Sequence, residues 1–502
     1  MVPAKVLIRA SAGARPVAAV VLLLAGLALS HSHPAGAAPP RLQPAPCSEI
    51  VHMSDRANLE CGFLFVAENR ANASSREIGI PYMRARSSAA SPARDVVLML
   101  AGGPGVRNMQ PDYALEHPAW AATRDVIWFE QRGTDLTRPA LNCEEYVEAG
   151  RQAARGRISP TTLARARIAA ARKCVERARA DGADLRGYNS VEMAADIEDL
   201  RRLLNISQLN LYGVSYGARI ATIYARSFPS TTRALILNTP LPVEADYDSY
   251  ASAGLKRTLN MVFDGCGVDP ACAKAFPNLR SQFSALIDSA RRRPRRVTID
   301  GGVEVVVTDR VLAGALLSQL QTPFQFEVLP RTIDLIARGD DAALKSILSA
   351  GDDNQAWLMR LATWCNEEYP FEDKASIARQ ISDYPEFAGN DESTVPIGAC
   401  EAAGFPATVD AREDLPVQID APVLVFSGAY DPITPPEWHR AMATRMPNAS
   451  VVNFPAGGHG SGFYYDCAWK MLGAFVVDPA ARSDACITDL RAPDFSRSTR
   501  RE

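Results

Sequence analysis

Asn210-Leu211-Tyr212-Gly213-Val214-Ser215-Tyr216-Gly217-Ala218 is the stretch whose reading decides the fold. A short apolar strand runs into Gly-Val-Ser-Tyr-Gly, and a helical pattern follows from Ala218 to Arg226. A serine on so sharp a strand-to-helix turn has a strained backbone, so small residues must flank it, where Gly213 and Gly217 stand. The helix start then aims its amides and the positive end of its dipole at any negative charge that forms beside the serine.

Working outward, other strands flank this one. Val96-Val97-Leu98-Met99-Leu100 reads as a buried strand running into Gly102-Gly103-Pro104-Gly105. Asp125-Val126-Ile127-Trp128-Phe129 reads as a second, ending at Glu130-Gln131-Arg132-Gly133. Strands are also expected at Ala234–Leu237, Pro422–Phe426 and Ser450–Phe454, with helical stretches at Thr161–Ala180 and Ser190–Leu204. Such alternation predicts an α/β protein with a mostly parallel central sheet flanked by helices. Between 246 and 414 the alternation lapses into a mostly helical stretch, the pattern of an inserted domain. The C-terminal Ser496 to Glu502 reads as a frayed tail.

A serine hydroxyl becomes a useful nucleophile only beside a base. His459 sits in Gly457-Gly458-His459-Gly460, a loop directly after the last strand, and is the expected base. His52, His117 and His439 read as surface or packing residues. Asp431 follows the strand 422–426, at the end where open α/β sheets carry their sites. It is expected to fix the imidazole tautomer, whereas Asp420 lies at the wrong end of that strand. The chain order Ser215, Asp431, His459 is the one α/β-hydrolases use. The backbone N–H groups of Tyr216 and Gly103 are the expected donors to a tetrahedral oxyanion. No Cys/His cluster has zinc spacing, so neither a metal nor another cofactor is expected.

Together these residues resemble the prolyl aminopeptidase and tripeptidyl aminopeptidase group of α/β-hydrolases. The resemblance rests on Gly102-Gly103-Pro104-Gly105, Glu130-Gln131-Arg132-Gly133-Thr134, Gly213-Val214-Ser215-Tyr216-Gly217, Gly428-Ala429-Tyr430-Asp431 and Gly458-His459-Gly460. It covers about 90 to 240 and 415 to 470. This chain has Ala101 where the group carries His or Asn-Pro, and Glu130 where it carries Asp. The resemblance implies an α/β-hydrolase core in two parts, 38–245 and 415–502, with 246–414 as a helical cap that selects substrate. It also implies a serine exopeptidase that holds a free α-ammonium with a negative group. Glu367 and Glu368, beside Trp364 and Cys365, are the candidates for that anchor. The same triad could serve an ester or amide hydrolase on small hydrophobic substrates, or persist in a non-catalytic binding protein.

Residues 1–37 read as a secretory signal peptide. Lys5, Arg9 and Arg15 precede the apolar run Val17–Leu29, and Ala35-Gly36-Ala37 offers a cleavage site. The run is too short and wrongly flanked for a stable membrane span. Its removal takes three positive charges from a formal net charge of −3 and leaves −6. That balance points away from nucleic acid and leaves a peptide or small molecule as partner. The cluster Arg291–Arg296 reads as a solvated helix end. All ten cysteines follow the leader, as expected of disulfides in a secreted or periplasmic chain. Near-neighbour pairing gives 47–61, 143–174, 266–272, 365–400 and 467–486.

Overall fold

The computed structural model describes residues 38–51, 58–109, 123–348, 355–384, 395–406, 410–480 and 486–500. The expected signal peptide, residues 1–37, lies outside them, as do His52 and His117. Eleven strands are found there: β1 (Arg41–Pro44), β2 (Leu59–Ala67), β3 (Glu77–Ala85), β4 (Val96–Leu100), β5 (Val126–Phe129), β6 (Leu209–Val214), β7 (Thr232–Asn238), β8 (Arg295–Ile299), β9 (Val303–Val307), β10 (Val423–Gly428) and β11 (Ala449–Phe454). Nine form one sheet in the order β1-β2-β3-β5-β4-β6-β7-β10-β11, while β8 and β9 make a separate hairpin. Pairings from β5 across to β11 are parallel, and β1 to β3 add antiparallel strands at one edge. The central strands β4, β6 and β10 are buried along their whole length, which is why they read as unbroken apolar runs rather than alternating ones. Every candidate catalytic residue lies in a loop or turn just past the carboxyl end of a parallel strand.

Six helices carry residues of the site or pack against it: α1 (Ser190–Leu203), α2 (Tyr216–Ser227), α3 (Tyr247–Val268), α4 (Pro323–Ala337), α5 (Trp357–Glu367) and α6 (Pro436–Ala443). Asn189 caps α1, its side chain accepting from the Glu192 N–H at 2.8 Å. The helical stretch 246–414 divides between two hydrophobic cores. Residues of 247–348, among them Leu259, Val262, Phe283, Leu316, Phe326 and Ile333, bury one another in a lobe of their own. Met359, Trp364, Cys365 and Cys400 instead join the core on the helical face of the sheet. Helix α5 is buried on all sides from Leu358 to Glu367, so it belongs beneath the surface rather than in an outer lid.

The ten cysteines form the five expected near-neighbour disulfides. The basic cluster is solvated and paired, Arg291 with Asp309 at 2.7 Å and Arg296 with Glu304 at 2.5 Å.

Of the frayed tail expected over 496–502, the described residues 496–500 are docked, continuing from Phe495. Phe495 is 3% exposed and lies in the core of the 247–348 lobe. A Cβ on Gly265 of α3 would meet its ring at 2.2 Å. The Glu327 carboxylate accepts from the Asp494 N–H at 3.0 Å and from Arg497 at 2.9 Å, and the Ser498 hydroxyl donates to the Glu327 carbonyl at 2.6 Å. One aromatic among charged residues gives no periodic signal, but its burial is enough to dock the chain. Phe495→Ala should therefore lower unfolding free energy by about 3–5 kcal/mol in urea titration. A free tail would show no change.

Candidate active site

Ser215 holds φ 54° and ψ −120°, a left-handed conformation that costs a non-glycine residue energy. Its N–H donates to the Asn238 carbonyl at 3.0 Å, and its own carbonyl accepts from Leu241 N–H at 3.1 Å. Flanking side chains are excluded on steric grounds. A Cβ on Gly217 would lie 2.4 Å from the Leu100 carbonyl oxygen, and one on Gly213 2.5 Å from that of Gly217. The loop after β4 passes just as close. A Cβ on Gly102 would stand 2.9 Å from Ser215 Cβ and 3.4 Å from its Oγ. Gly103 follows with φ 110°, open to glycine and hardly to any other residue.

Asp431, fully buried past the end of β10, accepts from the Ile433 N–H at 2.8 Å, the Thr434 N–H at 3.0 Å and the Thr434 hydroxyl at 2.8 Å. His459 Nδ1 lies 2.9 Å and 3.1 Å from its two oxygens. Burial pushes this carboxyl up, but the charge and hydrogen bond of His459 outweigh it and hold the group below the usual carboxylate range. Asp431 is thus ionised at neutral pH. It commits Nδ1 and leaves Nε2 as the nitrogen available for proton transfer.

The turn after β7 joins the two halves. The Asn238 side chain accepts from the Gly462 N–H and the Thr239 hydroxyl from the Gly460 N–H, both at 2.9 Å. The backbone of Ser215 and the loop of His459 therefore hang from the same residues. His439 takes the packing role expected of it: it is fully buried, with Nδ1 2.8 Å from the Ser427 hydroxyl. Desolvation there lowers its pKa to about 4, so it is neutral.

Several supporting residues carried no assignment from the sequence. The Gln131 amide donates to the carbonyls of Ala101 and Gly102, both at 2.8 Å, while its Oε1 accepts from the Gly105 N–H at 3.0 Å. Arg360 from α5 donates to the Gly103 carbonyl at 2.8 Å. Glu130 accepts from the N–H groups of Asn108 and Met109 further along the same loop. Arg132 is buried against Asp196 of α1. The signal was the Glu-Gln-Arg-Gly-Thr motif itself: three long polar residues at the end of a buried strand need internal partners.

Glu367 and Glu368, the candidates for an ammonium anchor, are taken up by partners inside the protein. They are 1% and 3% exposed. Glu367 accepts from the N–H and hydroxyl of Ser190, both at 2.7 Å, and from the Tyr216 hydroxyl. Glu368 pairs with Arg219, whose guanidinium also donates to the carbonyls of Val243 and Glu413, each at 2.9 Å. Tyr216 and Arg219 are three residues apart on α2, so one helix face carries both partners. The acidic pair thus braces the residue next to Ser215 from inside the protein. Pairing across roughly 150 residues has no local signature, so these partners could not be read from the sequence around the carboxylates.

Two family models match the chain: that of the α/β hydrolase fold over residues 95–274, and that described as TAP-like protein over 385–486. Serine protease Hip1 of Mycobacterium tuberculosis is 26% identical, over 70% of this chain and 72% of its own. The tripeptidyl aminopeptidase of Streptomyces lividans is 26% identical over 36% of this chain and 35% of its own. Among solved structures, the proline iminopeptidase of Mycobacterium smegmatis aligns at 14% identity and a TM-score of 0.36, covering 80% of this chain and 95% of that one.

Removing the buried cation should be costly. Arg219→Met leaves two buried acids without a counter-charge and should lose about 3–5 kcal/mol in urea unfolding. Arg219→Met/Glu368→Met should recover part of it, and a loss below about 1 kcal/mol for the single variant would contradict the bracing role. The strand order, the serine turn and the first matched region show a serine hydrolase of the α/β-hydrolase fold, and residues 385–486 are similar to TAP-like protein.

Proposed function

We propose that this protein is an exported aminopeptidase that releases residues or short peptides from free N-termini through an acyl-enzyme. The observation that carries the reading is the His459 Nδ1–Asp431 contact at 2.9 Å, on a loop tied to the same turn as Ser215. Ser215 Oγ attacks the scissile carbonyl while His459 Nε2 takes its proton. Negative charge forms on the carbonyl oxygen, where the N–H groups of Tyr216 and Gly103 receive it. The C–N bond then breaks, with His459 returning the proton to the leaving amine. Water, deprotonated by the same nitrogen, releases the acyl group and restores Ser215.

Peptide chemistry is supported by the relatives named serine protease and tripeptidyl aminopeptidase. Export is supported by five disulfides, which persist in oxidising compartments. Among the described residues no helix is long and apolar enough to cross a membrane.

Ser215→Ala or His459→Ala should cost on the order of 10⁶ in kcat, and Asp431→Asn about 10⁴, with folding intact by circular dichroism. The exopeptidase reading is tested with one good peptide p-nitroanilide, free and N-acetylated. A charge-assisted contact to the free ammonium contributes about 1.5–3 kcal/mol, so acetylation should cost at least about tenfold in kcat/KM. Glu367→Gln should lower both rates alike, since its carboxylate braces Tyr216. Equal rates on free and blocked peptides would reject the aminopeptidase and favour an ester or amide hydrolase.

A further inference from the structure

The lobe formed by 247–348 touches the loops of Asp431 and His459 at three points, each a direct contact with backbone. On α3, Arg257 donates to the Ala429 carbonyl at 3.1 Å and to the carbonyl of Asp431 itself. One turn earlier, Gly254 is buried so tightly that a Cβ there would lie 2.2 Å from the Pro432 carbonyl oxygen. At the start of α4 the Gln321 carbonyl accepts from the His459 N–H at 2.8 Å, and a Cβ on Gly458 would meet that same oxygen at 2.1 Å. Between them Tyr430 leaves the sheet's side and stacks on Phe326 of α4, ring centroids 4.6 Å apart, inside the lobe's own core.

Resting on the triad reading above, we propose that this lobe positions the catalytic acid and base, with Arg257 and Gly254 setting Asp431 and the Gln321 carbonyl setting His459. Neither loop can shift without breaking a contact to the lobe. A guanidinium suits the task because its planar fork reaches two carbonyls at once, which an ammonium on a flexible stem does less well. Glycine at 254 has no conformational reason to be there, since the middle of a helix favours alanine. Its presence answers to the closeness of the Pro432 carbonyl. Seating of the lobe on the core is thereby a condition for an aligned triad, in addition to any part the lobe plays in choosing substrates.

The test measures the second-order rate of Ser215 phosphonylation by a small fluorophosphonate, together with kcat, KM and thermal unfolding, in the full-length enzyme. Arg257→Ala should slow phosphonylation and lower kcat by about ten- to a hundredfold, the scale of a displacement near 1 Å. KM should stay within about twofold, because the loss falls on the chemical step. Arg257→Lys should recover an intermediate rate. Gly254→Ala forces the Pro432 backbone to move while leaving the Arg257 side chain in place, and should lose phosphonylation rate by a similar factor. Lower thermal stability with unchanged rates per folded molecule in both Arg257→Ala and Gly254→Ala would overturn the proposal while leaving the triad intact. Labelling of the wild-type enzyme at a serine other than 215 would overturn the triad reading and this proposal with it.

Discussion

Holding Ser215 at a φ of 54° costs on the order of 1–3 kcal/mol, and the packing around it has to supply that energy. The turn is over-determined. The first turn of α2 crowds Gly213 and the end of β4 crowds Gly217, so neither admits a side chain, and the Gly102 loop closes on the serine from the other side. The backbone bonds of Ser215 to Asn238 and Leu241 anchor it to the next strand. From this one strained residue follow the parallel neighbours that surround it, the glycines beside it and the polar residues that fix those glycines. Gln131 is the clearest of them, bridging three backbone groups of the 101–105 loop with a single amide.

What was legible in the sequence follows from how locally each feature is determined. Five of the six parallel strands stood out because burial on both faces writes them as short apolar runs, while the edge strand β11 alternates between buried and exposed residues towards its end. The antiparallel edge strands β1 to β3 were missed, and Pro81 within β3 explains part of this, since proline argues against an interior strand. Ser215, Asp431 and His459 were readable because each sits just past a strand end, and the structure brings Asp431 and His459 into contact. The internal partners of Glu367 and Glu368 were not legible because a carboxylate's neighbours across the fold leave no mark in its local sequence. Their partners, Ser190, Tyr216 and Arg219, lie on helices far away in the chain. The docking of Phe495 was invisible for the same reason.

The division of 246–414 between two cores changes how the inserted region is understood. One part, around α5, is a continuation of the sheet's own helical layer and reaches Gly103 through Arg360. The other, from α3 to Leu348, is a second core into which Tyr430 and Phe495 are both inserted. The chain thus returns to this lobe twice from the catalytic core, once just before Asp431 and once at its C-terminal end. Disulfides 266–272 and 467–486 staple elements on either side of that return. The loops of Asp431 and His459 and the lobe form one packed unit.

The most direct test of the site as a working serine centre is a crystal structure of the enzyme after reaction with a small organophosphonate. Ser215 Oγ should be covalently bonded to phosphorus. The phosphoryl oxygen should lie within about 3.1 Å of the N–H groups of both Tyr216 and Gly103, with His459 still bonded to Asp431. An adduct on another residue, or an oxygen turned away from both amides, would contradict it.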